Sequence, residues 1–229
     1  MNLSILYQAH RVPLSQLLPG ADVLHVPQLD EIRERFQGLL DWKERLQVSS
    51  KESYGFAAPG GEFTKSAYLA ALKRQGGLHP TLLKGKVALE IGAGLSPYGY
   101  LLARELGAGG YVAVEPYYAD RLELALLEVI RRDRRLPPIG YTILAEDMLS
   151  ALKRIPDRSV AVFAFGIEDC ILAGASYRAA VEREVMRVLG EKAIYFSLRS
   201  DLVVEGGSVR KFLVERKKFI ETASIISIE

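Results

Sequence analysis

The feature that most constrains the fold is a short apolar run that ends in an acid and a pair of glycines. Residues 87–94 read Val-Ala-Leu-Glu-Ile-Gly-Ala-Gly, so Gly92, Ala93 and Gly94 follow the run directly. The glycines let the backbone pass close to a ligand, because no Cβ stands in the way. In a parallel α/β sheet such a loop lies at the carboxyl end of its strand, where these folds bind ligands. The pattern therefore predicts a buried strand that leads into a ligand-binding turn.

A second acid follows at the end of the next apolar run. Glu115 lies 21 residues after Gly94 and directly after Tyr111-Val112-Ala113-Val114. An acid at the end of a second strand can accept hydrogen bonds from ribose hydroxyls. The two strand ends together predict a nucleoside held over neighbouring parallel strands.

The residues around the glycines argue against a nicotinamide dinucleotide. Such a cofactor requires a third glycine and a helix N-terminus that faces the diphosphate. Here Pro97 stands at the third glycine position, and no basic residue lies between Glu90 and Leu102. Glu90 would repel a diphosphate and attract a cationic amino group. S-adenosylmethionine suits this pattern, because it carries an ammonium, a sulfonium and a ribose but no phosphate.

On these residues the chain resembles the class I S-adenosylmethionine-dependent methyltransferases. Residues 90–94 match the first motif of that family, Glu115 matches its ribose acid, and residues 145–148 match the acid near the adenine. Residues 156–165 resemble its fourth-strand segment, and residues 183–189 resemble the helix before its fifth strand. The resemblance implies a set of cofactor-binding residues: Glu90, Gly92, Ala93, Gly94, Glu115, Glu146, Asp147, Met148 and Phe165. Asp147 has an alternative role, since an acid there also stabilises the start of the next helix.

Short apolar runs alternate with helix-like segments from residue 84 to residue 200, which predicts a mostly parallel sheet covered by helices. The resemblance implies a Rossmann-like sheet of six or seven strands. Ser96 is the predicted N-cap of the first helix in this region, with Pro97 at its first position. The C-terminal part stays open: Ser224–Ile228 alternates like a strand, and Leu213–Ile220 is either a strand or a helix.

The chain divides into a helical N-terminal extension, residues 1–80, and a cofactor-binding domain, residues 81–229. Apolar residues at helical spacing predict an amphipathic helix within residues 30–47, and Thr64–Lys73 predicts a second helix. A loop rich in glycine and aromatic residues, residues 54–61, lies between them and is a candidate lid. The resemblance implies that such helices cover the cofactor as a cap. The alternative is that they bury one face of the sheet.

Composition limits the class of partner. The net charge of +2 requires no polyanion, and acids interspersed among the basic clusters at 131–135 and 210–218 favour solvated faces, although nucleic acid is not excluded. A single cysteine, the lack of a signal peptide and the lack of a membrane-length apolar run predict a cytoplasmic protein. The three histidines show no metal-ligand spacing. A homodimer is one possible assembly.

The pattern predicts methyl transfer to a small molecule whose identity the sequence leaves open. Methyl transfer depends on positioning more than on a catalytic side chain, so no catalytic residue is assigned. Glu168 and Asp169 are the candidate general bases, against solvated loop acids. Three alternatives remain: an aminopropyl transferase, a non-catalytic S-adenosylmethionine-binding or scaffold protein, and a nicotinamide-dependent oxidoreductase.

Overall fold

The structure is a computed structural model that describes residues 10–22, 79–167, 172, 174–189, 193–198, 200–202, 204, 210–214 and 224–227. The two helices predicted within residues 30–47 and 64–73, the candidate lid at 54–61, and the acids Glu168 and Asp169 lie outside these residues. Those expectations, and the division at residue 80, stay predictions.

The described elements alternate between strands and helices, as the apolar pattern predicts. In chain order they are α1 (Leu14–Leu17), β1 (Val87–Ile91), α2 (Tyr98–Glu105), β2 (Gly110–Val114), α3 (Ala119–Arg132), β3 (Gly140–Leu144), α4 (Met148–Arg154), β4 (Val160–Phe165), α5 (Ala175–Leu189), β5 (Ile194–Leu198), β6 (Arg210–Val214) and β7 (Ser224–Ser227).

The described strands form one sheet in the order β3-β2-β1-β4-β5-β6-β7. The strands from β1 to β6 are parallel, and β7 runs antiparallel to β6. The order reverses between β1 and β4, which is the kind of position where open α/β sheets bind ligands. The predicted Rossmann-like, mostly parallel sheet flanked by helices is thereby confirmed, and its seven described strands lie within the predicted range. Of the open segment Leu213–Ile220, Leu213 and Val214 belong to β6, and residues 215–220 lie outside the described residues. The strand predicted at Ser224–Ile228 is β7.

The sheet is covered on both faces by apolar helix surfaces. One core joins α2 and α3 to inward side chains such as Tyr111 and Phe163, and the other joins α4 and α5 to residues such as Val112 and Val162. Residues that alternate along a strand point to opposite faces, so an apolar run buried on both sides is what a parallel sheet requires. The carboxyl ends of the strands are thereby fixed as a rigid edge.

Residues 10–22 form a short segment that docks on β2 and β3, which lie much further along the chain. The Val12 N–H donates to Tyr141 O at 2.9 Å, and the Thr142 hydroxyl donates to Val12 O. Leu14 and Leu18 are buried in the core that contains α4 and α5. Leu17 lies against Gly110 and Gly140, the first residues of β2 and β3. This part of the extension therefore covers the amino ends of the strands.

The start of α2 differs from the sequence prediction. The helix begins at Tyr98, and Pro97 is the N-cap, so Ser96 is not the cap and Pro97 is not the first helical residue. Pro97 has no N–H to satisfy, and the loop places the Ser96 side chain inside the protein instead of over the helix end. After the end of α2, Gly107 is left-handed, with φ of 76°, and a side chain there would strike Pro80 O.

No helix in the described ranges combines the length and the apolar character that a membrane crossing requires. Within the same ranges, no three His, Cys, Asp or Glu side chains converge as a metal site would need.

Candidate functional site

The parallel register brings the predicted site residues to one edge of the sheet. Ile91, the last residue of β1, pairs with Val114 at the end of β2 and with Ala164 near the end of β4. Val114 pairs in turn with Leu144, the last residue of β3. The glycine loop, Glu115 and the acids after β3 therefore follow adjacent strand ends.

The glycine loop, residues 92–94, is held against the end of β2 by its own backbone. The N–H groups of Gly92 and Ala93 both donate to Val114 O, at 2.9 and 3.1 Å. The Gly94 N–H donates to Glu115 Oε2 at 2.6 Å. Gly92 and Gly94 have φ of 67° and 64°, a region that L side chains rarely adopt. All three N–H groups of the loop are therefore bonded inside the protein.

Glu115 is a buried carboxylate at the centre of this edge. It is 4% exposed, and besides Gly94 it accepts the N–H groups of Tyr117 and Tyr118, at 2.9 and 3.2 Å on Oε1. Burial raises the pKa of Glu115 above its ordinary value, although the three backbone N–H groups oppose the shift. A carboxylate has about four acceptor positions, so one position remains for a ligand hydroxyl.

Glu90 lies below the loop, between the sheet and α2. The Tyr111 hydroxyl donates to Glu90 Oε2, and both residues are fully buried. The same carboxylate lies against Gly99, in the first turn of α2, where a Cβ would overlap it. Burial is the main cause that raises the pKa of Tyr111, and the nearby Glu90 adds to it, so Tyr111 stays a neutral donor. The predicted contact of Glu90 with a cofactor stays a prediction, and its observed neighbours are Tyr111 and α2.

Asp147 is the N-cap of α4. Its carboxylate accepts the N–H groups of Leu149 and Ser150, at 3.1 and 3.2 Å, the Ser150 hydroxyl at 2.5 Å and the Tyr177 hydroxyl at 3.1 Å. The helix-stabilising alternative is therefore the role that the structure shows. Its predicted contact with an adenine is untested by these bonds.

The neighbours of Asp147 are also buried. Glu146 is ion-paired with Arg154, which lies two turns further along in α4, and Met148 packs into the core below the helix. Residues 145–147 connect β3 to α4, and we call this connection, together with Met148 at the start of α4, the β3–α4 turn.

The end of β4 adjoins the end of β1 on the side away from β2. Phe165 is 5% exposed and stacks on Phe163, with ring centroids 5.5 Å apart. Ile167 follows, and a Cβ on Gly92 would come within 2.6 Å of its Cδ1 atom. Gly92 is therefore required for this close approach as well as for its backbone conformation. Cys170, like the two candidate general bases beside it, lies outside the described residues.

Ser96 is a candidate site residue that the sequence prediction placed in a different role. It is 3% exposed, and its hydroxyl has no hydrogen-bond partner among the described residues. A buried hydroxyl without a partner is costly, and a ligand is one way to satisfy it. Its position two residues after Gly94, in the loop that carries the glycines, is the signal in the sequence that could have identified it.

The basic cluster at residues 131–135 contains ion-paired arginines. Arg131 and Arg132 pair with Glu128, and Arg135 pairs with Asp133. The choice of a solvated face over a phosphate-binding surface stays a prediction.

Comparison with solved structures finds two methyltransferases and MtNAS, each at low identity. A phosphoethanolamine N-methyltransferase of Haemonchus contortus, in complex with S-adenosylhomocysteine, is 20% identical over 76% of this chain and 35% of its own, with a TM-score of 0.41. A putative RNA methyltransferase of Pyrococcus horikoshii is 16% identical over 70% and 63%, with a TM-score of 0.35. A mutant of MtNAS with S-adenosylmethionine is 17% identical over 86% and 66%, with a TM-score of 0.39.

The chain spans about a third of the length of the Haemonchus enzyme. No protein-family model matches the sequence, and no curated protein matches it significantly.

Proposed function

We propose that the chain binds S-adenosylmethionine over the carboxyl ends of β1, β2 and β3 and transfers its methyl group to a small molecule. The fold provides a ligand-binding edge, and the buried groups along that edge select the chemistry of the ligand.

The observation that carries the proposal is the position of the Glu90 carboxylate. Glu90 belongs to β1, but its carboxylate lies against the first turn of α2. A helix N-terminus attracts anions, and dinucleotide-binding sheets use it to hold the diphosphate. Here the protein supplies its own carboxylate beside Gly99, and Tyr111 holds it there. A diphosphate at this place would face a buried acid. A nucleoside ligand without phosphate fits.

The glycine loop supports the same choice. Its three N–H groups, which would otherwise be donors for phosphate oxygens, are bonded to Val114 O and Glu115. The described partners of Glu115 are backbone N–H groups, and no basic side chain is among them. A buried carboxylate of this kind is stabilised by a nearby cation. A ligand with a sulfonium and an ammonium supplies that charge.

In this proposal the protein contributes to the reaction mainly by holding the cofactor in position. When bound, the cofactor supplies a methyl group on a positively charged sulfur. Glu115 accepts a ribose hydroxyl at its remaining acceptor position. The ligand occupies the space above Gly94, where a Cβ added to this glycine would have no atom of the described residues within 4 Å. Ile167, whose Cδ1 atom lies beside Gly92, provides an apolar side chain at this edge that excludes water from the reaction.

The experiment that tests the proposal compares ligands on the purified chain. Isothermal calorimetry should show binding of S-adenosylhomocysteine and S-adenosylmethionine that is tighter than binding of NAD. Binding of NAD alone would overturn the proposal in favour of an oxidoreductase, and preference for the decarboxylated cofactor would favour an aminopropyl transferase.

Methyl transfer itself needs a second measurement. Methyl-labelled S-adenosylmethionine is incubated with fractionated small molecules and, separately, with RNA, and the label is followed. Label in a small molecule supports the proposal, whereas label in RNA contradicts the acceptor class. A chain that binds the cofactor and labels neither pool is a binding or scaffold protein.

A further inference from the structure

Arg154 connects two regions that the sequence does not place together. Its Nε donates to the backbone carbonyl of Asp22 at 2.8 Å, and the Asp22 N–H returns a hydrogen bond to Arg154 O at 3.0 Å. Its guanidinium also forms the buried ion pair with Glu146. One side chain thus touches the docked N-terminal segment and the first acid of the β3–α4 turn.

The segment is fixed to both elements that flank this turn. Val12 bonds to Tyr141 and Thr142 of β3, before the turn, and Asp22 bonds to the last residue of α4, after it. Leu14 and Leu18 share a core with Met148, at the start of α4. Removal of the segment would therefore loosen the turn from both sides, although the segment itself lies at the opposite end of the strands.

We infer that Arg154 is a positioning residue, which transmits the docking of residues 10–22 to the β3–α4 turn and so sets the affinity for the nucleoside end of the ligand. Only arginine suits this role, because its planar fork can bond a carbonyl and a carboxylate at the same time, whereas lysine has one nitrogen. The part that concerns ligand affinity rests on the function proposed above.

The test uses Arg154→Lys in the full chain, with Arg187→Lys as a matched control. Arg187 also bonds the C-terminal end of α4, at Leu152 O and Ile155 O, but not Glu146. Substitutions that act on a ligand through other residues change affinity by about 2- to 30-fold. Arg154→Lys should weaken the binding of both adenosine and S-adenosylhomocysteine within that range. Arg187→Lys should lower the free energy of unfolding by a similar amount but leave the affinity for both ligands unchanged.

A cycle with Glu146→Gln separates transmission from a general loss of order. If Arg154 acts through Glu146, the effect of Arg154→Lys on affinity should largely vanish in the Glu146→Gln background. Additive effects, unchanged affinity in a folded Arg154→Lys protein, or an equal loss in Arg187→Lys would each overturn the inference.

A ligand-free measurement keeps this inference distinct from the proposed function. Hydrogen exchange in the free protein should become faster at the Leu149 and Ser150 amides, which Asp147 caps, in Arg154→Lys and not in Arg187→Lys. If the wild type binds no adenosyl compound but exchange responds in this way, the proposed function fails while the positioning role stands. Unchanged exchange would remove the positioning role itself.

Discussion

The Gly94 N–H donates to Glu115 Oε2 at 2.6 Å, so the acid predicted to bind ribose also closes the glycine loop. With Tyr117 and Tyr118 on the other oxygen, three of its roughly four acceptor positions are occupied. The sequence predicts that two ribose hydroxyls bind this acid. In the observed geometry one can bind directly, and the second requires the Gly94 N–H to release Glu115 or share the oxygen.

Substitution of Glu115 should therefore affect both the loop and the ligand. Glu115→Ala removes one charged acceptor and leaves buried N–H groups without a partner, and we expect a loss of ~1–3 kcal/mol in the free energy of unfolding. We expect cofactor binding to weaken by ~1.5–3 kcal/mol, the usual range for hydrogen bonds to charged groups. Urea denaturation and calorimetry measure the two effects. A folded variant with an unchanged dissociation constant for S-adenosylhomocysteine would exclude Glu115 from the site.

The pKa of Glu115 predicts a pH dependence with a definite sign. Burial raises this pKa above its ordinary value of 4.5, so the protonated form favours the folded state. The resulting stability is fully present below 4.5 and is lost as the pH rises through the folded-state pKa. Relative to Glu115→Gln, the wild type should lose free energy of unfolding over that interval. Affinity for a cationic adenosyl ligand should rise over the same interval, because the ligand favours the ionised form. Equal pH profiles in both proteins would contradict the assignment.

The fold was predictable because its signals are local. Apolar runs of strand length, separated by helical segments and ended by residues such as Gly107, gave the order of elements from β1 to β5. The docking of residues 10–22 was not predictable, since a four-residue helix has no useful periodicity and its partners, such as Tyr141, are more than a hundred residues away. Only the folded sheet reveals that Leu14 and Leu18 belong to its core.

For the candidate site, the sequence predicted where its residues lie in the sheet better than it predicted what their side chains bond. Parallel strands end at one edge, so Glu115 and Asp147 were placed correctly from the strand pattern alone. Their bonds depend on side-chain geometry that spacing does not encode: Asp147 caps α4, and Ser96 points inward and does not cap α2. Glu90 illustrates the same limit, because its partner Tyr111 comes from the neighbouring strand.

The two glycines of the loop should differ when each is replaced by alanine. Both have positive φ, which costs an L residue ~1–2 kcal/mol. At Gly92 the new Cβ would also strike Ile167, whereas at Gly94 it would enter open space. We expect Gly92→Ala to lower the melting temperature more than Gly94→Ala. Gly94→Ala should weaken the binding of S-adenosylhomocysteine by more than the small loss of stability suggests, because the alanine methyl group would occupy space that the ligand needs. The opposite order of stability would contradict the loop geometry.

The N-terminal extension should contain a part that the fold requires. Deletion of residues 1–60 removes Leu14 and Leu18, and loss of a buried leucine side chain costs ~2–5 kcal/mol. We therefore expect this truncation to be unfolded or aggregated, in contrast to a deletion of residues 23–60 that retains the docked segment. Circular dichroism and size-exclusion chromatography distinguish the two. If the shorter deletion folds and binds S-adenosylhomocysteine as tightly as the full chain, the candidate lid at residues 54–61 has no role in binding.

Ser96→Ala separates a ligand contact from a structural serine. In the free protein the buried hydroxyl has no described partner. Its removal should therefore leave the free energy of unfolding unchanged or raise it, by at most the ~3 kcal/mol that an unsatisfied buried group costs. If the hydroxyl bonds the ligand, the same variant should bind S-adenosylhomocysteine more weakly, by ~0.5–1.5 kcal/mol for a neutral hydrogen bond. A site residue with this signature trades stability for binding. Ser150→Ala serves as a control, because its hydroxyl is bonded to Asp147 and its loss should lower stability. A Ser96→Ala protein that loses stability and keeps its affinity would show that the hydroxyl has a structural partner and no ligand.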